Sequence, residues 1–126
     1  AVRSKVEGAN VSAHETGTPE GLASAAEGVE VIIATGAAGI QLLSAEQRSK
    51  MGSLKVAIDL NAVPPVGIEG VEVFDKAVEQ DGVFCYGAIG VGGTKMKIHK
   101  AAVQKLFTAN DLLLDTAAVF EIGQNL

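Results

Sequence analysis

Three short apolar segments, each followed by small residues, constrain the fold of this chain most strongly. They occupy residues 29–34, 55–60 and 83–86. The first is rich in β-branched residues and nearly all apolar, which is typical of a strand covered on both faces in a parallel sheet. Helix-like segments alternate with the strands, and such alternation implies right-handed crossovers between parallel strands. We therefore predict an α/β fold with a parallel sheet and flanking helices.

Local signals define further elements around these strands. Thr18 followed by Pro19 is the pattern of an N-cap with proline at the first helical position, so we predict a helix to about residue 27. Ser44 and Gln47 have the spacing of a capping box, which begins a second helix that ends at Gly52. The remaining predicted elements are a short strand at 9–14, an extended turn at 61–65, irregular structure or an edge strand at 66–73, one or two helical turns at 75–80, and helices at 95–107 and 111–124. The alternation at residues 95–98 also fits a strand.

Size, charge and cysteine content limit the class of protein. The 126 residues are enough for one domain with its own core. The net charge of −5 argues against non-specific binding of nucleic acid, and no apolar run reaches the ~18 residues of a membrane span. The single cysteine, Cys85, fits a reducing cytoplasm. The chain begins at Ala1, and residues 1–7 read as a helix end stopped by Gly8, so we expect part of a longer protein.

The most unusual segment is residues 86–99, in which four glycines fall within seven positions. Glycines at this density let the backbone approach a partner closely. The segment does not match the G-x-G-x-x-G fingerprint for dinucleotides, because Lys95 stands at the position of the third glycine. It does not match a P-loop either, since Thr94 separates the glycines from the lysine. Tight packing of a helix on a strand explains the glycines equally well.

The loops that follow the strands supply candidate ligand-binding residues, because the carboxyl ends of parallel strands meet at one edge of the sheet. After the first strand, Thr35, Gly36 and Ala37 either accommodate a flat ring or ribose, or simply form a strand-to-helix turn. After the second strand, an unpaired Asp59 carboxylate would be costly, so it is predicted to cap a neighbouring turn. Asn61 is better placed for an amide hydrogen bond to a ligand.

Lys95 is the best candidate for reaching a substrate, since it follows the glycines at the start of a predicted helix. On that helix Lys95 and His99 share a face, whereas Lys97 points elsewhere. Cys85 lies in an apolar run and is predicted to be inert packing. The two histidines and one cysteine do not form a metal-binding pattern, and no nucleophile–base pair is apparent. Hydride transfer between two bound organic groups fits this inventory, because the cofactor carries the chemistry.

Three segments together resemble one protein family. Residues 34–43, 59–68 and 86–99 are similar to the bacterial NADP-dependent methylenetetrahydromethanopterin dehydrogenases of one-carbon metabolism. The glycine-to-histidine stretch and the Asn-Ala-x-Pro-Pro turn are the most specific parts of the likeness. The resemblance implies that residues 1–108 are the C-terminal part of a Rossmann domain whose first strand and glycine loop are missing. It also implies that residues 109–126 form a helix that packs on a substrate domain.

The resemblance further implies an activity and a role for each loop. Hydride would pass from a methylene group on tetrahydromethanopterin to NADP, with tetrahydrofolate as the other carrier and NAD as the other cofactor. Lys95 would be the catalytic candidate and would orient the pterin. The fragment alone is expected to be inactive, and the whole protein to be a cytoplasmic homo-oligomer. The cofactor-binding candidates are Thr35, Gly36 and Ala37 beside the nicotinamide ribose, Asn61 and Ala62 near the nicotinamide, and Gly92, Gly93 and Thr94 behind its ring.

Two other interpretations remain open from the sequence. One is a related Rossmann dehydrogenase that acts on methylenetetrahydrofolate or shikimate. The other is a non-catalytic module for nucleotide binding or oligomerisation. A G-x-G-x-x-G loop in the upstream sequence would distinguish the enzyme from the module.

Overall fold

The computed structural model describes Ser4 and residues 6–126, and the predicted helix end at residues 1–7 lies largely outside them. Strands β1 and β2 are parallel, as are β2 and β4, whereas β3 is antiparallel to β4. This confirms the predicted α/β fold and the parallel arrangement of the three apolar segments. The sheet has the order β1-β2-β4-β3, with β1 Val31–Ala34, β2 Val56–Asp59, β3 Lys76–Gln80 and β4 Val83–Tyr86.

Side-chain caps begin three of the four helices named here. The Thr18 hydroxyl accepts a hydrogen bond from the Gly21 amide at 3.1 Å, as expected for the N-cap of α1. The capping box of α2 is complete, because the Gln47 amide donates to Ser44 Oγ and the Ser44 amide donates to Gln47 Oε1. The helices are α1 Pro19–Ala26, α2 Ala45–Ser49, α3 Gly92–Leu106 and α4 Thr116–Gln124.

Two boundaries differ from the sequence prediction. Helix α3 begins at Gly92 rather than Lys95, so the last two glycines of the glycine-rich segment are helical. Helix α4 begins at Thr116 rather than Asp111, because the Asp115 side chain accepts a hydrogen bond from the Ala118 amide and caps the helix there. Among the helices of the described residues, none is long and apolar enough to cross a bilayer.

The helical turns predicted at residues 75–80 are wrong, because most of this segment forms strand β3. Asp81 and Gly82 join β3 to β4 with φ angles of 51° and 79°. Positive φ at both central residues defines a type I′ hairpin turn, for which Asp-Gly is a strong sequence signal. The strand predicted at residues 9–14 is also wrong, since this weakly alternating segment is irregular and mostly exposed.

Only one face of the sheet is buried within the described residues. Ala57 and Cys85 are fully buried on that face, where Ile68 and Val71 pack against them in one apolar cluster. The opposite face contains Val31, Ile33 and Phe84, which are 53%, 56% and 46% exposed. The prediction that the first strand is covered on both faces is therefore wrong for the described part of the chain. The apolar residues of this strand predict burial, but the described elements pack on one face of the sheet only.

Helices α3 and α4 pack against each other beyond the sheet. Gly123 of α4 lies against the Ile98 side chain of α3, where an added Cβ would be 3.0 Å from Ile98 Cδ1. The pair leaves large apolar side chains at the surface, since Phe107 is 87% exposed and Phe120 is 66% exposed. The described contacts do not test the division into residues 1–108 and 109–126, which stays a prediction.

The hairpin turn gives a test of the fold. Gly82→Ala should lower the free energy of unfolding by about 1 kcal/mol, because an alanine is strained at positive φ. Chemical denaturation of both proteins measures the difference. Gly52→Ala is the matched control: Gly52 has an ordinary φ and open space around its Cα. Equal losses in the two variants would contradict the assigned turn.

Candidate functional site

A buried carboxylate organises the end of strand β2. Asp59 is 1% exposed, and its two oxygens accept hydrogen bonds from backbone amides. The Asn61 amide donates to Oδ1 at 2.9 Å, and the Ile68 amide donates to Oδ2 at 2.7 Å. The predicted capping role of Asp59 is confirmed, because these bonds close the loop at residues 60–67 into a fixed shape.

The loops after β1 and β2 are joined directly to each other. The Gly67 carbonyl accepts hydrogen bonds from the Leu42 and Leu43 amides at 2.8 and 3.0 Å. The Asn61 side-chain amide lies 3.5 Å from the Ala37 carbonyl oxygen, at the limit of hydrogen bonding. Two of the three predicted loops therefore form one unit at the carboxyl edge of the sheet.

Asn61 has a free hydrogen-bond acceptor at this edge. The residue is 7% exposed, and its Nδ2 points to the first loop. Its Oδ1 accepts no hydrogen bond from the described residues, and this oxygen is partly accessible to solvent. Thr35, Ala37 and Ala62 are exposed around it. The edge thus presents an amide oxygen among small side chains.

Close packing explains two glycines of these loops. An added Cβ at Gly36 would lie 2.8 Å from Leu42 Cδ1. At Gly67 it would lie 2.9 Å from Asp59 Oδ1 and 3.0 Å from Asn61 Nδ2. Gly36 was predicted as a ligand contact, and a side chain there would require the half-exposed Leu42 side chain to move. Gly67 was not predicted to belong to the site, and only its contacts with Asp59 and Asn61 in the folded loop reveal it.

The third loop, after β4, divides into a packed half and an open half. Added Cβ atoms at Gly87 and Gly90 would lie 2.0 and 1.7 Å from backbone carbonyl oxygens. At Gly92 and Gly93 they would have no heavy atom within 4 Å. The alternative explanation by tight packing therefore applies to the first two glycines. The last two leave the backbone accessible.

The start of α3 carries the predicted substrate-side residue. Val91 occupies the N-cap position without a side-chain hydrogen bond, and no acidic residue lies in the first turn. Thr94 and Lys95 are exposed, as is His99 one turn later. Ile58 of β2 pairs with Tyr86 of β4, so this loop leaves the sheet next to the Asn61 loop. No hydrogen bond among the described residues joins it to the other two loops.

Cys85 takes no part in this edge. It is fully buried, and burial raises the pKa of its thiol, while the nearby Arg48 guanidinium acts in the opposite direction. A thiol held neutral is a poor nucleophile, which agrees with the prediction of inert packing. Within the described residues, no three His, Cys, Asp or Glu side chains come close enough to hold a metal ion.

A separate groove lies away from this edge. It has a volume of about 540 Å³ and runs between α1 and the segment that contains α2, where Leu22, Gln47 and Met51 line it. None of the candidate residues lines this groove. The strand ends are the stronger candidate site, because two joined loops, an amide acceptor and the accessible backbone of the neighbouring third loop lie at one edge of the sheet. The groove lacks a comparable set.

The role of Asp59 can be tested through stability. Asp59→Asn should lower the free energy of unfolding by about 1–3 kcal/mol, because its amide group turns a donor toward a backbone N–H and leaves a buried donor unpaired. Denaturant titration of the purified proteins measures this loss. Asp111→Asn, at an exposed position, removes the same charge and should change stability little. If both variants are as stable as the wild type, the two hydrogen bonds do not hold the loop.

Comparison with known proteins adds the family. No family model matches the chain. The bifunctional protein MdtA of Methylorubrum extorquens is 33% identical over 117 residues, which cover 93% of this chain and 41% of the relative. The NAD(P)-dependent methylenetetrahydromethanopterin dehydrogenase of the same organism is 32% identical over 119 residues, or 92% of this chain and 40% of the relative. The chain thus spans about two fifths of the length of these relatives. Over the compared region, these two matches confirm the predicted resemblance to the NAD(P)-dependent methylenetetrahydromethanopterin dehydrogenases.

Proposed function

We propose that this chain forms the nicotinamide-side half of the dinucleotide-binding domain in an oxidoreductase. The enzyme transfers hydride from a methylene group carried by tetrahydromethanopterin to NADP. The observation that carries the proposal is the arrangement of the loops after β1, β2 and β4 at one edge of a parallel sheet. In open α/β sheets, ligands bind outside the carboxyl ends of the strands. One similar protein is by name an NAD(P)-dependent dehydrogenase of this kind.

The residues at this edge suit a nicotinamide cofactor. Asn61 offers an unpaired amide oxygen, which is the acceptor that a carboxamide N–H group requires. Thr35 and Ala37 are small enough for a ribose to lie against the backbone. The open Cα positions of Gly92 and Gly93 admit a flat ring at van der Waals distance. When bound, the cofactor supplies the hydride acceptor.

The protein's own contribution is to position the two reactants. A methylene carrier already bears the hydride to be transferred, so orientation matters more than acid–base assistance. Asn61 fixes the cofactor by its amide, and the first turn of α3 provides a surface behind the ring. Lys95 extends from this turn and is exposed, so it orients the carrier through a polar group on the pterin. NAD and tetrahydrofolate are the alternative cofactor and carrier.

The exposed sheet face supports a larger assembly around this chain. Parallel strands are normally covered on both faces, yet Val31, Ile33 and Phe84 are about half exposed. The two relatives extend well beyond the matched region, since about three fifths of their length is unmatched. We infer that the equivalent portion of the intact protein covers this face. The same portion packs on α4, where Phe120 is exposed.

Hydride transfer by the intact protein tests the activity directly. The assay combines both methylene carriers with NADP and with NAD, and the absorbance of the reduced nicotinamide is followed. Reduction with methylenetetrahydromethanopterin and NADP is expected. Absence of reduction in all four combinations would refute the enzyme assignment and favour a non-catalytic module.

Lys95→Ala in the intact protein should lower turnover with the methylene carrier about tenfold, because one polar contact worth about 1.4 kcal/mol is lost. NADP binding should stay nearly unchanged. Steady-state kinetics measure the turnover, and titration measures NADP binding. Lys105→Ala is the matched control, since Lys105 is an exposed lysine in the last turn of the same helix. Equal turnover in the Lys95 variant and the wild type would exclude the carrier-side role.

Gly92→Val should weaken cofactor binding through steric blockage, with the protein still folded. The surroundings of Gly92 are open, since an added Cβ has no heavy atom of another part of the protein within 4 Å, and the valine side chain occupies the space assigned to the ring. Cofactor titration should show an increase in Kd of tenfold or more, corresponding to about 1.4 kcal/mol. Gly52→Val, which also enters open space, is the control. An unchanged Kd for the Gly92 variant would place the ring elsewhere.

A further inference from the structure

A turn at residues 72–75, here called the supporting turn, is closed by its own last residue. Asp75 is 9% exposed, and its Oδ2 accepts a hydrogen bond from the Glu72 amide at 2.9 Å. The Asp75 amide donates back to the Glu72 carbonyl at 2.9 Å. The Gln80 side chain is a further donor to Asp75 Oδ2, at 3.4 Å. The Asp75 carboxylate thus holds the shape of the turn.

The glycine-rich segment lies directly on this turn. The Gly87 amide donates to the Asp75 carbonyl at 2.9 Å, and the Ile89 and Gly90 amides donate to the Val73 carbonyl at 2.8 and 3.2 Å. Backbone groups can approach so closely only because Gly87 and Gly90 have no Cβ. The path of the segment is therefore set by the carbonyl groups of the supporting turn.

The same segment determines where helix α3 begins. The Val91 amide donates to the Gly87 carbonyl, and the Gly92 amide donates to the Ile89 carbonyl. The first helical residues are thus bonded to residues that themselves rest on the supporting turn. A shift of the turn moves Gly92, and with it Lys95 one turn further along.

A second set of hydrogen bonds connects the supporting turn to α2. Both guanidinium nitrogens of Arg48 donate to Gln80 Oε1 at 3.2 Å. The Gln80 side chain in turn donates to the Gly70 carbonyl at 2.9 Å. Arg48 and Gln80 therefore fix the segment that leads into the supporting turn. The bonds from Arg48 to Gln80 Oε1 also orient the Gln80 side-chain nitrogen toward Asp75.

We propose that Asp75 is a positioning residue for cofactor binding. It holds the supporting turn, and the turn places the open backbone of Gly92 and Gly93 at the carboxyl edge of the sheet. Asp75 itself touches neither cofactor nor substrate. This inference rests on the proposed function, because it assigns the positioned backbone to the nicotinamide.

The test compares Asp75→Ala, Asp75→Asn and Glu72→Ala in the intact protein. Glu72→Ala removes a carboxylate from the same turn, but the Glu72 side chain is exposed and only its backbone is used. Asp75→Asn keeps one acceptor oxygen and should retain most of the function. Two readouts are needed: the Kd for NADP and NAD by titration, and amide hydrogen exchange at Gly87, Ile89 and Gly90.

Asp75→Ala should raise the cofactor Kd about tenfold, equivalent to 1.4 kcal/mol, and speed exchange at the three amides. Glu72→Ala should change neither quantity. Wild-type affinity in folded Asp75→Ala would show a merely structural role and overturn the proposal. If Asp75→Ala does not fold, Asp75→Asn replaces the charged acceptor with a weaker neutral one and should show modestly faster exchange than Glu72→Ala. Equal exchange in these two variants would contradict the inference.

The outcome separates this inference from the proposed function. If the wild-type protein binds neither NADP nor NAD, the proposed function is wrong and the assignment of the positioned backbone to nicotinamide fails with it. Hydrogen exchange then still shows whether Asp75 holds the glycine-rich segment. If the wild type binds NADP and folded Asp75→Ala binds it with the same affinity, the proposed function stands and the positioning role is wrong.

Discussion

The buried Asp59 carboxylate is the interaction on which the carboxyl edge of the sheet depends. Removing a carboxylate from water costs several kcal/mol unless hydrogen bonds compensate for it. Here two backbone amides do so, and they come from opposite ends of one loop. The Gly67 carbonyl in that loop then binds the loop after β1. One buried carboxylate therefore defines two of the three loops, and it fixes the backbone of the largely buried Asn61 between them.

The glycine-rich segment combines two requirements that composition does not separate. Gly87 and Gly90 allow backbone to lie on backbone, while Gly92 and Gly93 leave the start of α3 uncovered. The close packing of Gly87 and Gly90 fixes the segment, so the open backbone of Gly92 and Gly93 has a defined position. A ligand site made of main-chain groups needs such support, since it has no side chains whose packing could hold it in place.

Elements with local signals were predicted well from the sequence. The Thr18 cap, the Ser44–Gln47 box and the three apolar strands rest on chemistry within a few residues. The helical prediction at residues 75–80 was wrong because the strand there is formed by pairing with β4. The Asp81-Gly82 turn is the local signal of this hairpin. The division of the glycines could not be predicted, since it depends on the supporting turn. Nor could the uncovered sheet face, because apolar residues show a need for burial without showing what supplies it.

The hairpin of β3 and β4 has a consequence for how the chain folds. Its strands are joined by a two-residue turn, so their contacts form between near neighbours in sequence. The parallel pairs β1–β2 and β2–β4 close much longer loops, at a greater entropic cost. Local contacts of this kind form early in folding. The hairpin also brings the supporting turn beside the glycine-rich segment, so the backbone path into α3 is built as a local unit. The hairpin is therefore the part of the sheet whose closure costs least in chain entropy.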